Sequence, residues 1–176
     1  MGGLDMVKFI GIVLVLLASL WAGNYQVKQL RQRVHQLREC INILTLIRSR
    51  IQYSGNPLPG IFQEVSYRIG EPWNDIFLRL GQSMKRSDHT LWEYWQMAIT
   101  RIAQETSFTN EDIELLQPLM AGISDLDKQR SVTSIDLISN QLESRLKDAT
   151  VKQEERIRMS VTLSVVAGFF IVIVLI

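Results

Sequence analysis

Cysteine is almost absent from this sequence: Cys40 is the only one in 176 residues. A lone thiol excludes an intramolecular disulfide framework, and among apolar neighbours it reads as a small core side chain. Histidine is nearly as scarce. His35 and His89 stand 54 residues apart and each reads as a surface residue, so no metal site is expected. Charge of one sign is lacking too, because 19 Lys and Arg balance 18 Asp and Glu to a net +1. That balance gives no footing for nucleic acid or for an acidic substrate. Catalytic constellations are missing as well. Gly122-Ile123-Ser124-Asp125-Leu126-Asp127-Lys128 superficially resembles a phosphate loop, but it lacks the second glycine before the lysine and the preceding strand. Asp125 and Asp127, two apart at a helix start, cannot face each other as an acid/base pair. The chain therefore reads as non-enzymatic, with no cofactor.

Two stretches lack charge altogether. After Arg158, Met159 to Ile176 runs for 18 residues with only Ser160, Thr162 and Ser164 as polar interruptions. As a helix it would extend roughly 27 Å, close to the roughly 30 Å hydrocarbon core of a bilayer. Phe9 to Gly23 is a second run of 15 residues, short for a span and similar to the apolar region of a signal peptide. A cleavage site ending at Ala22 would place Leu20 where a small residue is needed, which argues for an uncleaved anchor. Trp21 and Tyr25 suit its interface, and Lys8 can snorkel at its other end. Met6-Val7-Lys8 has the look of a start, which would make Met1 to Asp5 an extension. The cations that flank the runs lie on the inner side of each: Lys28, Arg31, Arg33 and Arg38 after the first, Lys147, Lys152, Arg156 and Arg158 before the second. By the positive-inside rule both termini are expected across the membrane and the middle in the cytoplasm. The expected organisation is a short non-cytoplasmic N-terminus (1–8), a transmembrane anchor (9–23), a cytoplasmic domain (24–158) and a second anchor (159–176). The rival is an exported helical protein with a cleaved signal peptide and a C-terminal membrane anchor. A membrane-bound enzyme would need ionisable residues within the runs, which hold none.

Helix breakers are also unevenly distributed. No proline or glycine occurs between Asn24 and Gly55 or between Lys128 and Ala167, so two long helices are expected. Val27, Leu30, Val34, Leu37, Ile41 and Leu44 alternate steps of three and four, an a/d seam that could close within the bundle or against another copy of the chain. Ser54-Gly55-Asn56-Pro57-Leu58-Pro59 then breaks the pattern. Short amphipathic helices follow around Ile61–Ile69, Trp73–Met84 and Leu91–Ile102, the last with Ser87-Asp88 as candidate caps. Thr109 should cap a fifth, with Glu111 and Asp112 in its first turn and Pro118 bending it before Gly122 ends it. Ser124 should cap the last, Asp127 completing a capping box. The expected fold is all-α, an antiparallel bundle of about six helices bracketed by N- and C-terminal transmembrane helices. Asp125 and Gln129, four apart on one helix face, are candidates for contact with each other or with a neighbour.

Taken in order, these features resemble the stage III sporulation protein AB family: a short anchor opening Met-Val-Lys-Phe-Ile-Gly, an Arg/Gln-rich helix, Tyr53…Pro57-Leu58, Gly122-x-Ser124-Asp125-x-x-x-Gln129, and an apolar C-terminus. The resemblance covers nearly the whole chain from Met6. It implies a cytoplasmic bundle similar to the inner-membrane platform proteins of type II secretion and type IV pilus systems. It further implies a scaffold in the mother-cell membrane facing the forespore, with other stage III sporulation proteins and a secretion-type ATPase as partners. Pro57, Leu58, Pro59, Gly122, Asp125 and Gln129 are the candidate contact residues, Gly122 by allowing a turn.

Overall fold

The computed structural model describes the backbone of residues 2–86, 88–123 and 127–175; side chains at 2–24, 26, 161, 164–165 and 167–175 are outside the described set. Among the described residues there are seven α-helices: α1 (Gly2–Tyr53), α2 (Leu58–Ser66), α3 (Trp73–Met84), α4 (Leu91–Glu105), α5 (Asn110–Leu116), α6 (Leu119–Gly122) and α7 (Lys128–Leu175). The two breaker-free stretches lie within the two long helices, of 52 and 48 residues, which continue through Gly11 and Gly23 and through Gly168. The all-α class is as expected. One helix more than the expected six arises at Pro118: its missing N–H and ring do more than bend the fifth helix, and they end α5 at Leu116 so that α6 restarts at Leu119. Among the described residues no helix is long and apolar enough to cross a membrane. The uncharged runs 9–23 and 159–176 fall at the start of α1 and the end of α7, mostly on residues whose side chains are not described.

The chain divides into a central unit, Arg33–Asp148, and a terminal unit made of Met1–Gln32 with Ala149–Ile176. In the central unit the C-terminal part of α1 lies antiparallel to the N-terminal part of α7, as the pairing of Arg48 with Asp136 and the reach of Lys128 to Ser54 require. The buried stripe of α1 departs from the expected seam at Leu30, which is only half-buried, and again at Ile41. Val34 and Leu37 are buried, but Cys40 rather than Ile41 follows, then Leu44, Ile47 and Ile51, while Ile41 is only half-buried. A straight helix of 3.6 residues per turn does not keep a 3.5-residue seam on one face, so the stripe changes step. Burial pushes the Cys40 thiol up to about 12, with the nearby Asp112 charge adding to it, so the sulfur is an inert core group as expected.

The short helices fill the space beside this pair. α2 and α3 form a hairpin whose Phe62 and Phe77 rings are 6.0 Å apart and tilted. Gly81 makes their close approach possible: a Cβ there would lie 2.7 Å from the Pro59 carbonyl oxygen and 2.8 Å from Gln63 Cγ. Trp95 of α4 is fully buried, and its indole N–H donates to the Leu116 carbonyl at the end of α5, 2.9 Å away. That carbonyl is one that the Pro118 break leaves without an intrahelical partner.

Of the three helix starts for which a cap is expected, one keeps the expected residue. Thr109 caps α5, and its hydroxyl and backbone N–H exchange bonds with Asp112. For α4 the cap is Thr90, boxed with Glu93, and not Asp88; Ser87 lies outside the described residues. Asp88 is otherwise engaged, accepting the Tyr94 hydroxyl proton while the Tyr94 oxygen accepts from the amides of Asp88 and His89. At α7 the expected cap, Ser124, lies outside the described residues. Asp127 itself takes that role: its side chain accepts from the Arg130 amide at 2.9 Å and its carbonyl from the Ser131 amide at 3.1 Å.

Candidate partner-binding site

Two segments far apart in the sequence meet at the end of the central unit remote from Arg33 and Asp148. α1 closes with the Ser54 amide bonded to the Arg50 carbonyl at 2.8 Å, after which Gly55 and Asn56 run exposed into Pro57. Pro57 precedes α2 in an extended conformation, φ −66° and ψ 155°, and its carbonyl accepts from the amides of Gly60 and Ile61. Proline suits such a helix entrance because the ring presets φ and no N–H is needed there. The three expected contact residues of this turn therefore divide. Leu58 is buried and anchors the turn, Pro59 lies half-buried beside Gly81, and Pro57 stays exposed.

Lys128, the first residue of α7, crosses to this turn and donates from Nζ to the Ser54 carbonyl oxygen at 3.1 Å. Between them opens a cavity of about 260 Å³, lined by Ile51, Ser54, Gly55, Asn56, Pro57, Leu58, Ile61 and Lys128. Its floor is apolar and its rim polar. Ser54 Oγ is buried and finds no hydrogen-bond partner among the described residues, which leaves an unmet hydroxyl in the wall. One exposed cation, one unmet hydroxyl and an apolar floor can hold a partner side chain. They supply neither a nucleophile with a base nor an acid/base pair.

The remaining candidates are placed differently. Gln129 is exposed next to Lys128, with its backbone carbonyl taking the Thr133 hydroxyl proton, but it does not line the groove. Asp125 lies outside the described residues. Gly122 is required for a reason other than a turn: no glycine among the described residues has a positive φ, and a Cβ on Gly122 would overlap the Ser134 side chain of α7. It is a contact point between helices.

Sequence reasoning missed both Lys128 and the most buried charge pair. Arg33 donates from Nε to Asp112 Oδ2 at 2.7 Å and from Nη2 to Oδ1 at 2.9 Å, and the Asp112 side chain has no exposure at all. Burial pushes the Asp112 carboxyl up, but the Arg33 guanidinium and the Thr109 amide outweigh it and hold the group below the usual carboxylate range. The position of Arg33 directly before the buried Val34 was the available signal, because a cation bordering a core stripe needs a partner. The histidines are exposed as expected, but each has a carboxylate one helical turn on: His35 Nδ1 is 3.3 Å from Glu39 and His89 Nδ1 is 3.8 Å from Glu93. Among the described residues no group of three potential ligands could hold a metal ion.

The family model described as stage III sporulation protein AB matches residues 8–176. Stage III sporulation protein AB of Bacillus subtilis (strain 168) is 21% identical over 170 residues, covering 97% of this chain and 99% of its own length. A solved structure of a stage III sporulation protein AB is similar in fold, with a TM-score of 0.65 and 18% identity, over 70% of this chain and 98% of that one.

Proposed function

The chain belongs to the stage III sporulation protein AB family and is a sporulation protein, and from there we propose that it is a non-enzymatic membrane platform. The uncharged runs 9–23 and 159–176 are its anchors, and residues 24–158 form its cytoplasmic part, held at the mother-cell membrane facing the forespore. The observation that carries this reading is the placement of charge: both runs are bordered by several cations on the side of the helical domain, Lys28, Arg31, Arg33 and Arg38 after the first and Lys147, Lys152, Arg156 and Arg158 before the second. Other stage III sporulation proteins are its partners, and the groove between the Pro57 turn and Lys128 is the docking point for a cytoplasmic secretion-type ATPase. A groove with an apolar floor and a cationic rim takes an apolar anchor residue beside a carboxylate. Gln129, exposed next to Lys128, borders the same contact.

The test is binding of the full chain, reconstituted in lipid nanodiscs, to the purified ATPase without nucleotide, with ADP and with a non-hydrolysable ATP analogue. Binding in at least one state is expected, and Lys128→Glu should weaken it by roughly tenfold, since like charge would then face the partner's carboxylate. No binding in any nucleotide state would remove the ATPase from the account.

A further inference from the structure

The terminal unit carries cations that its own structure does not use. Its described side chains include Lys28, Arg31, Lys152, Arg156 and Arg158 against two carboxylates, Glu154 and Glu155, and all seven are exposed. Among the described residues none of these five cations is held in an ion pair. In the central unit, by contrast, Arg33, Arg48, Arg50, Arg101 and Arg145 each meet a carboxylate. A net charge of +3 concentrated on two short helix segments is a demand for an anion from outside.

Within the same unit, α1 and α7 enclose an open groove of about 630 Å³. Lys152 and Arg156 lie on it one turn apart on α7, so their charges can converge on a single phosphate. Leu30 and Met159 give it an apolar wall. On the α1 side stand Tyr25, which is 56% exposed, and Gln29, whose amide donates to the Tyr25 hydroxyl at 3.0 Å. Glu155 is the only carboxylate on the lining.

We propose that this groove binds the headgroup of an anionic phospholipid, its phosphate between Lys152 and Arg156 and the beginning of its acyl chains against Leu30 and Met159. The proposal rests on the membrane reading above, under which the uncharged run beginning at Met159 enters the bilayer and the groove lies at headgroup depth. A lipid fits better than a free phosphate, because inorganic phosphate has no part that would cover Leu30 and Met159. A phenol at this level is the usual amphipathic interface group. Anionic lipid surfaces attract juxtamembrane cations one by one, and the groove would convert part of that diffuse attraction into a site.

The test uses the full chain in nanodiscs of phosphatidylcholine, alone or with phosphatidylglycerol, and counts by native mass spectrometry the phosphatidylglycerol molecules that stay bound after release from the disc. The parent should retain phosphatidylglycerol in preference to phosphatidylcholine. Lys152→Gln/Arg156→Gln should lose that preference by roughly tenfold, and Lys28→Gln/Arg31→Gln, off the groove, should change it less than about twofold. Equal losses in both double variants would mean surface charge without a site and would overturn the proposal, as would unchanged retention in the first. Failure of the chain to enter discs of either composition would instead count against the membrane reading itself, so the two failures are separable.

Discussion

Asp112→Ala is expected to destabilise the central unit by about 3–5 kcal/mol, the range for removing one partner of a buried ion pair. The substitution leaves the Arg33 guanidinium only 12% exposed and without its bidentate acceptor, and it takes away the acidic half of the Thr109 capping box. Urea denaturation should show a lower midpoint with an unchanged slope. Arg33→Leu/Asp112→Leu should recover part of the loss, because no uncompensated charge then remains buried. The pH dependence follows from the lowered carboxyl. Its contribution is whole above the unfolded value of about 3.9 and is lost as pH falls through the lower folded value, so the parent should lose stability on acidification below about pH 4 and Asp112→Ala should lose less. Equal acid sensitivity in parent and variant would show that the pair is not what acid breaks.

Gly122→Ala is expected to cost about 2 kcal/mol by overpacking. Its new methyl would meet the Ser134 side chain, whose Cβ is attached directly to the α7 backbone and cannot swing away as the tip of a long side chain could. Ser134→Gly in the same chain should relieve the overlap, and the pair of changes should then cost less than the sum of the two alone, measured as a double-mutant cycle in urea. Strict additivity would place Gly122 elsewhere than against α7. Should both variants fold yet bind the ATPase as the parent does, Gly122 is structural and the docking surface is confined to the Pro57 turn and Lys128.

Most of the element order could be read directly from punctuation. The Ser54–Pro59 punctuation marks the break after α1, although α2 already starts at Leu58 and ends at Ser66 and so lies earlier than the expected Ile61–Ile69; Thr109 caps α5 and the breaker-free stretches lie in the two long helices, because these signals act through local backbone chemistry. Where reading failed, the deciding partner lay elsewhere in the chain. Asp112 could be read as a favourable first-turn charge, but not as the mate of Arg33, 79 residues away. Cys40 replaces Ile41 in the buried stripe because a straight helix drifts off a 3.5-residue seam. Gly122 reads as a turn glycine, but what requires it is the Ser134 side chain of α7, twelve residues on. The groove itself is a product of tertiary structure: a lysine at the start of one helix reaches a carbonyl at the end of another, 74 residues earlier. Of the expected contact residues, Pro57 and Leu58 line it; Pro59, Gly122 and Gln129 do not.

The central claim is that a helical domain is held on the cytoplasmic face of a membrane by the two uncharged runs, and thiol accessibility in intact vegetative cells producing the full chain, where the plasma membrane alone separates reagent from cytoplasm, tests it most directly. Asn56→Cys and Glu114→Cys place single probes on exposed positions of the central unit, while native Cys40, buried and with its thiol pushed up to about 12, stays silent until the protein is unfolded. With a membrane-impermeant maleimide, both probes should remain unlabelled in intact cells and react fully once the membrane is opened. Labelling of either probe from outside would contradict the account. It would make the first uncharged run an export signal, reverse the topology and leave the secretion-type ATPase on the wrong side of the membrane.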